Sequence, residues 1–216
     1  GAVSTLAHEL GHAWHDSVVL DKPFLLRDYP MPLAETASIF SEQLIFQGAL
    51  KASDQQGRIT LVEHFLQDST QVCVDILSRF YFESAVFEKR GAGELSAAEF
   101  CALMEDAQRR TYGDGLSLYH PYMWAAKSHY YSCGFSFYNY PYAFGLLFAL
   151  GLFAQAQEQG PAFFDQYTKI LEATGSLNVR DVAALASIDL ADHRFWDGAM
   201  GIVNGYIKEF VDAAQH

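Results

Sequence analysis

The chain has 216 residues, half of them apolar, so it is long enough for one sizeable domain with a substantial core. Its formal net charge of −12 argues against nucleic acid and anionic membranes as partners, because both favour a basic surface. Three widely spaced cysteines, Cys73, Cys101 and Cys133, form neither a disulfide framework nor a paired metal-binding pattern. This use of cysteine favours a reducing, cytoplasmic environment.

The most informative segment covers residues 5–15 and contains His8, Glu9 and His12 in a His-Glu-x-x-His arrangement. On an α-helix the four-residue spacing places both histidines on one face, where their imidazoles can reach a single metal ion. Glu9 lies about 100° around the helix from His8, so it is placed to reach a water on the metal rather than the metal itself. This is the position of a general base in a zinc hydrolase.

A catalytic zinc takes three protein ligands and leaves a fourth position for water, so a third ligand is expected nearby. His15 falls on the same helix face, but a rigid helix spreads positions 8, 12 and 15 too widely for one tetrahedral ion. Glu35 is the better candidate, because it lies at the start of a second predicted helix after a proline-containing loop. Glu42 falls on the same face of that helix and is expected to hold a ligating histidine by a hydrogen bond.

The middle of the chain shows helical rather than strand periodicity. Residues 59–89 carry apolar side chains at helical spacing and end before Gly91 and Gly93, which predicts one long helix with at most one break. Ser96 and Glu99 form a capping-box pattern that opens another helix, which closes near Gly113. Because period-two alternation is scarce, we predict an all-α fold with at most a short strand pair.

Residues 128–157 contain no Asp, Glu, Lys or Arg. Their purely apolar part, residues 143–154, is shorter than a bilayer span requires, so a buried central helix is the better interpretation. The first half of this segment is too rich in tyrosine for a plain core, because each buried hydroxyl needs a partner. The pattern of residues 160–216 predicts two or three amphipathic helices, in which no catalytic residues are evident. His64 and His193 are interpreted as surface or helix-end residues, and His120 as a candidate substrate contact.

Several of these motifs together resemble a known family. The run from His8 to His12, followed by Ala-Glu-Thr-Ala-Ser at residues 34–38, is similar to the oligoendopeptidase F branch of the thimet oligopeptidase family of zinc metallopeptidases. The resemblance continues in the same order through residues 78–88, 93–112, 120–124 and 129–153. It therefore covers most of the chain from Val3 to about Phe153.

The resemblance implies a zinc-dependent endopeptidase that hydrolyses short peptides. One zinc ion per chain would be held by His8, His12 and Glu35, with Glu9 as the general base. A non-catalytic, zinc-holding helical module that binds peptides is the alternative. Glu9 argues against that alternative, because a structural site is closed by four protein ligands and needs no base. An aminopeptidase would need an anchor for the free amine, and none is recognisable.

The resemblance also implies that His129 and nearby tyrosines donate hydrogen bonds to the oxyanion formed during peptide hydrolysis. Carried over by position, the tyrosines are Tyr138 and Tyr142, which are four apart and are therefore expected on one helix face. Tyr140 is an alternative donor, because Pro141 makes the alignment of these tyrosines with those of the family ambiguous.

Members of the family carry a long helical region ahead of the metal motif, whereas this motif begins at His8. We therefore expect residues 1–216 to be a single C-terminal catalytic domain of a longer enzyme. In the family, the preceding region forms the opposite wall of the substrate cleft. Without that wall, we expect this chain alone to have low activity or none. We also expect self-association through the surface that the preceding region would cover.

Overall fold

Helices carry the whole fold in the computed structural model, which describes residues 2–134 and 136–214. Those residues contain no β-strand, which confirms the predicted all-α class. The chain forms two compact units, Gly1–Gln67 with Phe144–His216, and Asp68–Ala143. The α-helices of the described residues are, in chain order, α1 (Ala2–Val19), α2 (Met31–Ala52), α3 (Gln55–Thr70), α4 (Ile76–Arg90), α5 (Ala97–Tyr112), α6 (Tyr140–Gln159), α7 (Phe163–Ala173), α8 (Val179–Ala184) and α9 (His193–Ala214).

Helices α1 and α2 pack against each other in the first unit. Helix α2 follows Pro30 and has Pro32 in its first turn, where the missing N–H needs no partner. Gly11 marks a close approach of the two helices, because an added Cβ would lie 2.5 Å from both the Ala37 carbonyl oxygen and the Ser38 Cα. The missing side chain of Gly11 therefore sets how closely the two backbones approach.

Gly11→Ala is expected to destabilise the first unit by about 1–3 kcal/mol, because the new methyl group would meet backbone atoms that cannot move without shifting a helix. Urea denaturation followed by circular dichroism measures the change. Gly48→Ala is the matched control in α2, since nothing lies within 4 Å of a Cβ added there. That control should be neutral or stabilising by up to about 1 kcal/mol. Equal unfolding free energies for Gly11→Ala and the original protein would contradict the tight contact.

The core of the first unit surrounds α6. Phe148 and Leu152 of α6 are fully buried in one cluster with Leu33 and Phe40 of α2 and with Phe163 of α7. The apolar half of the predicted central helix is thus buried, as expected. The C-terminal segment forms the three helices α7, α8 and α9, in agreement with the predicted two or three. No helix of the described residues has the length and apolarity that a membrane crossing requires.

In the second unit, a π-helical turn (Gln71–Asp75) leads directly into α4, so the predicted long helix is interrupted once. Helix α5 has the predicted capping box. The Glu99 N–H donates to the Ser96 hydroxyl at 3.3 Å, and the Ser96 N–H donates to the Glu99 carboxylate at 2.8 Å. The helix ends before Gly113, whose φ of 52° lies in the left-handed region that favours glycine.

The segment ahead of α6 departs from the predicted central helix. Residues 128–131 form a short 3-10 turn, and α6 begins only at Tyr140. Pro141 explains this start, because a proline is accepted in the first turn of a helix but disfavours helix on its N-terminal side. Phe137 adds a φ of 54°, which an α-helix does not contain. The interpretation of this half of the segment as helix was therefore wrong.

Candidate metal centre

Helices α1 and α2 bring together the three side chains predicted as metal ligands. The Nε2 atoms of His8 and His12 are 3.1 Å apart. The Glu35 Oε2 atom lies 3.4 Å from the His8 Nε2 and 3.8 Å from the His12 Nε2. Ligand atoms of a tetrahedral zinc, each about 2.0–2.1 Å from the ion, are about 3.3–3.4 Å from one another. The triangle of two imidazole nitrogens and one carboxylate oxygen therefore fits a single zinc-sized ion.

Glu42 orients His8 from behind this triangle. Its Oε1 lies 2.6 Å from the His8 Nδ1, and its Oε2 accepts a hydrogen bond from the Ser4 hydroxyl at 3.0 Å. The hydrogen bond to Glu42 raises the pKa of His8 despite partial burial. Because Nδ1 donates to the carboxylate, the Nε2 lone pair points to the triangle, as a metal-binding histidine requires.

Two contacts fix the third candidate ligand. The Ser38 hydroxyl lies 3.0 Å from Oε2 of Glu35 and 3.0 Å from its carbonyl oxygen. Helix α6 passes so close that a Cβ added at Gly145 would lie 2.7 Å from the Glu35 Cβ. The position of Glu35 is therefore set by its own helix and by the bare backbone of α6.

Glu9 is exposed, and its carboxylate is not one of the three groups that form the metal-ligand cluster of the described residues. Its negative charge nevertheless acts on the neighbouring His8 and contributes to the raised pKa of that residue, after Glu42 and Glu35. A carboxylate that is close to the cluster without belonging to it can exchange a proton with a group held there.

His15 points away from this centre into the protein. It is fully buried, its Nε2 lies 2.8 Å from the Thr174 hydroxyl, and its ring stacks on Tyr29 with centroids 3.9 Å apart. Burial lowers its pKa from 6.5 to about 4. His15 is thus a neutral core histidine that joins α1 to the end of α7, and it does not belong to the metal cluster.

The burial of His15 predicts a loss of stability in mild acid. The unfolded chain takes up this proton near pH 6.5 and the folded chain only near pH 4, so stability is complete above pH 6.5 and falls between these values. The expected loss from this group by pH 5 is about 2 kcal/mol. Urea unfolding at pH 7.5 and at pH 5 measures it, and His15→Gln should show a smaller pH-dependent loss. An identical loss in both proteins would contradict the assignment.

In the second unit, the predicted oxyanion donors lie close to one another. The hydroxyls of Tyr138 and Tyr142 are 2.9 Å apart, and the rings of His129 and Tyr138 have centroids 5.8 Å apart. The expectation that the two tyrosines share one helix face was wrong, because Tyr138 precedes α6. The turn before the helix nevertheless brings the two hydroxyls together. Tyr140, the alternative, is 48% exposed.

A cavity of about 480 Å³ opens beside His129 within the second unit. Its volume is in the range of about 300–1,000 Å³ that is typical of small-ligand pockets. The wall is mainly aromatic, with Phe82, Phe87, Phe100, Trp124 and Tyr130 among the lining residues. His120 is not among the lining residues, and its Nδ1 accepts the Tyr122 N–H at 3.1 Å.

Sequence reasoning missed the hydrogen-bonded polar residues that form a row ending at His129. The Asn139 Nδ2 lies 2.7 Å from the His129 Nε2, and Arg79 donates to the Asn139 Oδ1 at 3.2 Å. Arg79 in turn donates to Asp75, four residues earlier. A usable signal was present, since Asp75 and Arg79 are at helical spacing in an otherwise apolar stretch. His64 and His193 are exposed, as expected.

Comparison with known proteins identifies a family for this chain. The model of peptidase family M3 matches residues 1–202. An oligoendopeptidase F homolog from Lactococcus lactis subsp. lactis is 29% identical over 211 residues, which are 95% of this chain and 34% of that protein. A group B oligopeptidase from Streptococcus agalactiae is 26% identical over 210 residues, with the same two coverages of 95% and 34%. The crystal structure of oligoendopeptidase-F from Enterococcus faecium matches with a TM-score of 0.82 and 20% identity, over 99% of this chain and 39% of that one.

The chain therefore spans about a third of the length of the curated relatives that it matches. The similarity to the solved structure shows the same all-α fold. The resemblance to oligoendopeptidase F that the motifs indicated is confirmed by the relative from Lactococcus lactis. Because the family model matches nearly the whole sequence, the chain belongs to peptidase family M3.

Proposed function

We propose that this chain carries the catalytic centre of a zinc-dependent endopeptidase that hydrolyses short peptides in the cytoplasm. The observation that carries the proposal is the triangle of His8, His12 and Glu35 atoms, with edges of 3.1, 3.4 and 3.8 Å. Those edges suit one tetrahedral zinc ion per chain. The relatives named oligoendopeptidase support the peptide substrate, and their greater length makes the activity a proposal for a protein that contains this segment.

Different residues of this chain would have different roles in the hydrolysis. Zinc, when bound, supplies a water whose pKa is lowered towards about 7 and polarises the scissile carbonyl. Glu9 takes the proton as the water attacks and later gives it to the leaving amine, as a general base and then a general acid. Glu42 keeps the His8 ring oriented through the 2.6 Å contact at Nδ1.

In the second unit, His129, Tyr138 and Tyr142 are proposed to donate hydrogen bonds to the oxyanion. Support comes from their mutual proximity and from the resemblance. Each well-placed donor contributes about 3 kcal/mol to the transition state.

The alternative function is a zinc-holding module that binds peptides without cutting them. Among the described residues the cluster contains three metal-binding groups, whereas a purely structural zinc site uses four. Glu9 beside such a three-ligand cluster favours catalysis over that alternative.

Incubation of a zinc-loaded protein that contains this segment and the preceding region with a mixture of peptides of defined sequence, followed by mass spectrometry, tests the proposal. We expect fragments from internal cleavage, their loss after removal of the metal with a chelator, and their return when zinc is added back. Fragments that persist in full after complete metal removal would contradict zinc-dependent catalysis. Intact peptides that co-purify with the zinc-loaded protein would favour the binding module.

The tyrosines are expected to act on the reaction rather than on the fold. Tyr138→Phe and Tyr142→Phe should each lower kcat by about 10²-fold, because each removes one hydroxyl donor. The melting temperature should change little, since the ring is retained. Tyr140→Phe is the matched control and should leave kcat unchanged. If Tyr140→Phe alone lowers kcat, Tyr140 is the donor, and the alignment of these tyrosines with the family across Pro141 has to be shifted.

A further inference from the structure

A buried row of polar side chains supports His129 in the second unit. Asp75, Arg79 and Asn139 are all less than 10% exposed. Arg79 donates one hydrogen bond to Asp75 and another, of 3.2 Å, to the Asn139 Oδ1. The Asn139 Nδ2 lies 2.7 Å from the His129 Nε2. A buried ion pair is weak evidence for stability, because its desolvation cost can exceed its Coulombic gain. This ion pair instead begins a row of hydrogen bonds that ends at His129.

The chemistry of the donors fixes the direction of every hydrogen bond in this row. A guanidinium only donates, so the side-chain oxygen of Asn139 must face Arg79. The amide nitrogen of Asn139 then faces His129, and an amide nitrogen also only donates. The His129 Nε2 must therefore accept, which leaves the imidazole proton on Nδ1.

The backbone around Asn139 holds this arrangement in place. The Asn139 carbonyl oxygen accepts the Tyr142 N–H at 3.2 Å, so the residue is tied to the first turn of α6. Two residues earlier, the Phe137 N–H donates to the buried Glu83 carboxylate at 2.6 Å, which anchors the residue with the left-handed φ of 54°. The amide of Asn139 is thus presented to His129 from an anchored turn.

We propose that Asn139, oriented by Arg79 and Asp75, is a positioning residue that holds His129 as the neutral tautomer with its proton on Nδ1. Protonation of Nε2 would place an N–H against the amide N–H of Asn139, so the doubly protonated ring is disfavoured as well. The hydrogen that His129 offers to a substrate oxygen is then the one on Nδ1. Only this last step depends on the peptidase proposal made above.

The tautomer can be read directly by two-bond ¹⁵N–¹H correlation spectra of the protein labelled at histidine, at pH 7.5 with zinc added. The His129 signals are assigned by their loss in His129→Gln. We expect a protonated Nδ1 and an unprotonated Nε2. A protonated Nε2 in the original protein would overturn the proposal, whether or not any variant folds.

Asn139→Asp is the sharpest variant, because it keeps the size of the side chain and the bond to Arg79 but replaces the donor with an acceptor. His129 should then carry a proton on Nε2, and its pKa should rise. If a folded Asn139→Asp protein keeps the Nδ1 tautomer, Asn139 does not set the tautomer of His129. A purely structural Asn139 would affect melting temperature but would not switch the proton from one ring nitrogen to the other.

The same variant separates this proposal from the proposed function. If His129 serves the transition state, Asn139→Asp should lower kcat by about 10²-fold with little change in KM. If a longer protein that contains this segment shows the Nδ1 tautomer but no zinc-dependent hydrolysis, the peptidase proposal fails and the tautomer assignment stands. If the tautomer switches but kcat does not change, the hydrogen on Nδ1 of His129 does not serve the reaction.

Discussion

Replacing Glu9 with glutamine is expected to leave zinc bound and to lower peptide turnover by about 10³-fold or more. Glutamine has nearly the same size, but it cannot take a proton from the attacking water. Metal content should not change, because Glu9 lies outside the cluster formed by His8, His12 and Glu35. Initial rates on one quenched fluorescent peptide, with zinc measured in the same samples, give both quantities.

The control must remove the same charge elsewhere. Asp21→Asn does so in the exposed turn after α1 and should keep normal turnover. If Glu9→Gln with a full complement of zinc hydrolyses the peptide at a near-normal rate, Glu9 is not the base. If Asp21→Asn slows hydrolysis equally, the effect comes from overall charge rather than from proton transfer.

Removal of a single proposed ligand should abolish stoichiometric zinc binding. His12→Ala and Glu35→Ala are each expected to weaken affinity by about 10³-fold or more. Structural zinc sites bind with about 10–16 kcal/mol, and so few ligands share this free energy that each one contributes several kcal/mol. Glu42→Ala should cause a smaller loss of about 10–100-fold, because it removes only the partner that orients His8. Competition with a fluorescent chelator measures the affinities.

The chain offers matched controls for these variants. Glu63 and His64 are adjacent exposed residues of α3, and alanine at either position should leave zinc binding unchanged. One zinc per chain retained by both His12→Ala and Glu35→Ala would disprove the assigned cluster. Loss of zinc in the α3 controls would indicate that general destabilisation, rather than ligand removal, releases the metal.

The local features of this protein could be predicted from its sequence because they depend on short spacings. The four-residue spacing of His8 and His12, and the capping box at Ser96 and Glu99, act within one or two helical turns. Glu35 could be selected because it begins the helix next in sequence. Each of these inferences required only the geometry of a single helix or of two consecutive ones.

Features that depend on distant segments could not be predicted in the same way. Gly145 of α6 packs against Glu35 of α2, although the whole second unit lies between these two residues in the sequence. The contact between Asn139 and His129 depends on an irregular turn, which helical periodicity cannot describe. The start of α6, in contrast, could have been predicted, because Pro141 favours a helix that begins next to it. The apolar run after Pro141 was given too much weight.

The pairing of α1 with α2 has a consequence for the order of folding. Both helices are consecutive, and together they contain every proposed zinc ligand, the proposed base and the carboxylate that orients His8. Contacts between neighbours in sequence form early, because closing a short loop costs little chain entropy. The proposed metal-binding cluster can therefore assemble from these two helices before α6 packs against them, and the contact of Gly145 with Glu35 would then fix side chains that are already in place.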